Sequence, residues 1–125
     1  MKRILLACFL LTASATVANR SLAQTVAVSA SDFTTKVNLL DTQISSGDMA
    51  AAQSTWNTVH QMMITELGVT KGKIQSAATP ADKTTYQNLM SNQRNLYKDI
   101  WTLKTNLAAN RAALHTKLGL FAATI

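Results

Sequence analysis

Pro80 is the only proline in a chain of 125 residues, and on both sides of it the apolar side chains recur at steps of three and four. That period lines one face of an α-helix, whereas a half-buried strand would show alternation. Alternation is confined to a short stretch around Val26 and Val28. The pattern predicts an all-α protein, with the proline and a few glycines marking where one helix gives way to the next.

The first helix is predicted to open at Ser31 or Asp32 and to end near Ser45, with Phe33, Val37, Leu40 and Ile44 forming its buried stripe. Ser46-Gly47-Asp48 then supplies a turn glycine and a fresh N-cap. The second helix runs from Met49 to about Ser76 and buries Met49, Ala52, Trp56, Val59, Met63, Leu67 and Ile74. Gly68 and Gly72 each cost roughly 1 kcal/mol relative to alanine in a helix interior, which leaves a kink or an early end near Gly68 as the alternative. Thr79-Pro80-Ala81-Asp82 is the clearest boundary in the chain. There threonine caps the next helix, proline takes the first helical position where its missing N–H is harmless, and an acid meets the positive end of the helix dipole.

Past Pro80, the residues Tyr86, Leu89, Leu96, Ile100, Leu103, Leu107, Leu114 and Leu118 keep a near-heptad rhythm. A helix using all of them would be roughly 58 Å long, longer than either partner. Short connections make neighbouring helices antiparallel, so the expected architecture is an up-down-up antiparallel three-helix bundle with a long third helix. Two fates follow for the residues past Asn110. If the helix stays straight, Leu114, Leu118, Leu120 and Phe121 project beyond the other two helices, and a second copy should cover them as a two-fold dimer. If it breaks near Asn110, residues 111 to 121 fold back onto the first helix as a short fourth one. The expectation leans to the first. With Trp101 on the flank of the third helix, it makes Trp101, Leu114, Leu118 and Phe121 the interaction surface.

At the N-terminus Lys2 and Arg3 precede an apolar run from Ile4 to Leu11, too short to span a bilayer, and Ser21-Leu22-Ala23 follows as a small-x-small tripeptide. These features predict a signal peptide over residues 1–23, cleavage before Gln24, and a single domain over residues 24–125 working in the periplasm or outside a bacterial cell. Leu5-Leu6-Ala7-Cys8 matches the pattern at which lipoproteins are cut. The apolar run ahead of Cys8 is shorter than the roughly 7 to 15 residues an export signal needs, which argues against lipidation. With Cys8 removed, the mature chain has no disulfide, no thiol nucleophile and no cysteine-ligated metal.

Loss of Lys2, Arg3 and Arg20 leaves nine basic residues against six acids, a net charge of +3. So small an excess does not point to a nucleic-acid partner. Eight of the nine mature basic residues lie from Lys71 onward, the one electrostatic asymmetry in the chain.

Catalytic groups are hard to assemble from what remains. Asp32, Asp48 and Asp82 stand at helix starts, where a carboxylate already has a structural role. Aligning the second and third helices from their shared turn puts Glu66 and Asp99 about 13 Å apart, too far for a retaining-type carboxylate pair, and the two histidines roughly 28 Å apart. His60 and Met63 share a helix face and Met90 comes from the facing helix, which defines a soft His-Met site for copper or zinc as the alternative reading. Against it, methionines at core spacing ordinarily fill gaps. No cofactor is expected. The sequence therefore predicts an exported, non-enzymatic helical-bundle protein of the bacterial cell envelope, a protein-interaction or self-associating module.

Overall fold

The computed structural model describes residues 27–125, and every regular element among them is helical. The helices are α1 (Ala30–Ser46), α2 (Met49–Ser76), α3 (Pro80–Leu103) and α4 (Arg111–Ala122), with a 3₁₀ turn, Lys104–Asn106, after α3. The predicted signal peptide and Val26 lie outside the described residues.

Each boundary has a local cause. Ser29, not Ser31 or Asp32, caps α1, its hydroxyl accepting from the Asp32 N–H at 3.3 Å. Gly47 ends the helix in the left-handed region at φ 80°, a conformation open to glycine because it lacks a Cβ. The following N–H, of Asp48, returns to the Gln43 carbonyl at 3.0 Å and closes the last turn. The Asp48 carboxylate then accepts from the Ala51 N–H and starts α2. Thr79 does the same for α3, accepting from the Asp82 N–H at 3.1 Å, with Pro80 in the first turn.

The second helix has the expected bounds: α2 does not end at Gly68 but continues to Ser76. Two glycines penalise the helix by about 2 kcal/mol, but Val69 and Thr70 are buried between them, and tertiary packing of that face outweighs the propensity.

For the third helix the structure shows the second of the two fates, a break and a short fourth helix, in place of the continuous helix. α3 ends at Leu103, a turn before Leu107, and the chain reverses. Two asparagines satisfy backbone groups freed by the break. Asn110 donates its side-chain N–H to the Leu103 carbonyl at 3.0 Å, and Asn106 accepts from the Ala109 N–H at 3.0 Å. Asn110 occupies the cap position of α4 but makes no side-chain bond into it; its side-chain N–H bonds back to α3 instead.

α4 folds back against both α1 and α3, so the four helices close a ring in which each packs against two others. Leu114, Leu118 and Phe121, expected to project as an overhang, are at most 1% exposed in the core. The Phe121 ring lies 5.6 Å from that of Phe33 on α1. Arg111 grips Asp41 of α1 with two hydrogen bonds of 2.8 and 3.0 Å, and Lys117 reaches Asp99 of α3 at 3.0 Å. Of the apolar segment that motivated a dimer, Leu114, Leu118 and Phe121 are covered within the chain and Leu120 stays 51% exposed.

A different part of the molecule projects. α2 and α3 outrun the shorter α1 and α4, and no residue from Lys71 through Leu89 is buried. Ile74, Tyr86 and Leu89, on the predicted apolar faces, are therefore partly open; Leu67 is also only half-buried, and Met49 is exposed at the other end of α2.

Candidate functional site

The side chains that set this surface apart lie across α2 and α3. Trp56 and His60 stand four residues apart on α2, and Tyr97 and Trp101 four apart on α3; that spacing puts each pair on one helix face. The α2–α3 packing joins the two pairs. The His60 ring lies 6.0 Å from Trp56, 5.8 Å from Tyr97 and 5.1 Å from Trp101, while Tyr97 and Trp101 are 6.0 Å apart. All four separations fall in the range at which aromatic pairs attract beyond simple burial.

The stack grades from core to solvent. Trp56 belongs to the core, His60 and Tyr97 are half-buried, and Trp101 is 42% exposed. Lys104, in the 3₁₀ turn, sets its ammonium 3.5 Å from the Trp101 ring centroid, a close cation–π contact. An exposed indole is thus held by a histidine on one side and a lysine on another.

His60 Nε2 lies 2.9 Å from the Tyr97 hydroxyl. Burial pushes the imidazole below its ordinary pKa, and the positive charge of Lys104 pushes it the same way. His60 is therefore neutral at pH 7, acting as an aromatic spacer and hydrogen-bond partner. No carboxylate hydrogen-bonds to its other nitrogen among the described residues, so the arrangement lacks the orienting acid of a nucleophile–base pair.

The chain has no significant match among known families, curated proteins or solved structures.

The predicted site residues separate accordingly. Trp101 is on the surface as expected, whereas Leu114, Leu118 and Phe121 are interior and present nothing to a partner in this fold. The His60, Met63 and Met90 side chains have other surroundings in the fold. Met63 is 1% exposed inside the core, and His60 Nε2 already faces Tyr97. Met90 is buried in α3, at a separate groove. Among the described residues, no three His, Cys, Asp or Glu side chains form a metal-binding group, and no helix is long and apolar enough to cross a membrane.

Sequence reasoning singled out Trp101 but missed the partners that hold it. His60 was expected beside methionine, because level matching fixes height along a helix and not rotation about it. The i, i+4 aromatic pairs on two adjacent helices were the available signal.

A second polar group was also unforeseen. Glu66, 2% exposed, accepts from the Val28 N–H at 3.3 Å, tying the chain ahead of α1 to the middle of α2. Burial raises the carboxyl above its ordinary range, opposed by the Val28 hydrogen bond and by Lys73. One turn on, the Thr70 hydroxyl donates to Gln93 at 2.7 Å and the Gln93 amide donates to Thr124 at 3.2 Å. These bonds fasten the C-terminus to α2 and α3, and the buried groups they satisfy are structural.

Proposed function

We propose that the protein is an exported, non-enzymatic module of the bacterial cell envelope that binds another protein through the α2/α3 face centred on Trp101. The observation that carries this reading is the exposed tryptophan pinned by His60, Tyr97 and Lys104. Aromatic side chains dominate the centres of protein interfaces because they bury a large area at small entropic cost. An indole already fixed by its neighbours loses little freedom on binding, which favours affinity. Export is supported by the Lys2-Arg3 start, the apolar run and Ser21-Leu22-Ala23.

Site-specific photocrosslinking in the native host tests the contact. A benzophenone side chain at Trp101 should give one adduct of defined mass, and the same probe at Thr34, exposed on α1, should not. Equal adducts from the two positions, or none at Trp101, would refute the contact surface. Mass spectrometry of the protein recovered from that host should find an N-terminus near Gln24, and an intact Met1 would refute export.

A further inference from the structure

Arg94 and Lys98 stand one turn apart on the same face of α3, and Lys71 faces them from α2. Like charges at i, i+4 weaken a helix, and a third cation opposite adds to the repulsion. Among the described residues none of the three forms an ion pair. The acids are engaged elsewhere. Asp48 caps α2, Asp32 and Asp82 lie in the first turns of α1 and α3, Asp41 and Asp99 are paired with Arg111 and Lys117, and Glu66 is buried against Val28. The fold gains nothing evident from gathering three unpaired cations at one place.

That place is concave. A groove of about 400 Å³ runs between α2 and α3 beside the projecting tip, and no acid lines it. Ser91 contributes a hydroxyl, Gln87 and Asn95 contribute carboxamide donors, and Ile74 and Met90 supply apolar wall.

We propose that this groove binds a phosphoryl group, carried either by a small phosphate ester or by a phospholipid headgroup. Three cations lining one cavity match a compact phosphoryl anion, either a phosphate monoester or the phosphodiester of a headgroup; an acidic peptide would spread its charges along an extended chain. The guanidinium of Arg94 offers the planar fork that engages two phosphate oxygens at once, and the two lysines act as point charges beside it. Hydroxyl and amide donors complete the oxygen shell, and the apolar wall accommodates the organic part of the ligand. The groove does not include Trp101 and does not depend on the protein contact proposed above.

The test uses the purified protein, glycerol phosphate as soluble probe, and vesicles of phosphatidylglycerol with phosphatidylcholine vesicles as the neutral control. Arg94→Gln with Lys98→Gln removes two groove charges; Lys36→Gln with Lys83→Gln removes two charges outside it. All four positions lie at least partly open to solvent, so circular dichroism should show both variants folded. At low salt, amide chemical shifts should report binding of glycerol phosphate with a Kd of about 1 mM or tighter. The groove variant should bind at least tenfold more weakly, the control within twofold of the natural chain, and Trp101→Ala unchanged. Binding only to phosphatidylglycerol vesicles, with the same dependence on the groove, identifies the headgroup as the source. No binding of either probe, or equal weakening by the two charge variants, overturns the proposal.

Discussion

Phe121→Ala tests the feature that separates this fold from a three-helix bundle, the docking of α4. Phe121 is fully buried, its ring 5.6 Å from Phe33 and its neighbours Leu114 and Leu118 at most 1% exposed. Truncating a buried phenylalanine costs about 3 to 5 kcal/mol through lost transfer energy and the cavity left behind. Domains of this size are stable by only about 5 to 15 kcal/mol, so the change should remove a large part of the total. Urea unfolding followed by circular dichroism measures it, with Leu120→Ala as control. Leu120 is the adjacent residue but is 51% exposed, so its change should stay within about 0.5 kcal/mol. Adding Phe33→Ala closes a cycle in which the two rings should couple by about 0.5 kcal/mol or more. A loss below about 1 kcal/mol for Phe121→Ala, or equal losses at positions 120 and 121, would show that α4 is not seated against α1.

Gly68 and Gly72 lie inside α2 with open space where a Cβ would stand, so Gly68→Ala and Gly72→Ala should each stabilise the protein by about 0.5 to 1 kcal/mol. Together they should raise the thermal midpoint by about 4 °C or more, and a decrease would mean that the glycines serve something other than the helix. Stability should also depend on His60. Its folded pKa lies below the ordinary value of 6.5, so below that pH the unfolded chain takes up the proton first. The contribution is complete above about pH 6.5 and is lost as pH falls toward the lowered folded pKa. Glu66 acts in the opposite sense: with its folded pKa raised, its ionisation weakens the fold as pH rises above the ordinary 4.5. The His60 effect is therefore read as the difference in urea midpoints between the natural chain and His60→Gln from pH 7.5 to 5, and identical slopes would refute it.

The local rules along this chain were legible because they depend on neighbours in sequence. The period of Phe33, Val37, Leu40 and Ile44 gave the buried stripe of α1, and Asp48 and Thr79 gave the starts of α2 and α3 through side chains that reach only three residues ahead. Trp101 could be placed on a flank by the same helical arithmetic. Beyond that range the signal fails. Leu107 and Leu114 keep the apolar rhythm across the break after Leu103, because a stripe facing the core reads alike in a straight helix and in two helices that reverse onto it. What ended α3 there was the burial of Leu114, Leu118 and Phe121 against α1, aided by an Asn110 side chain that bonds seven residues back. The aromatic stack and the cationic groove were likewise out of reach. Their residues are dispersed along the sequence, and only the rotation of α2 against α3 decided that His60 would meet Tyr97 and Trp101, and that Lys71 would face Arg94 and Lys98. Sequence set the helices, their caps and their apolar faces through interactions a turn or two long; tertiary packing set where the third helix stopped and which side chains became a surface, because those outcomes depend on contacts between distant residues.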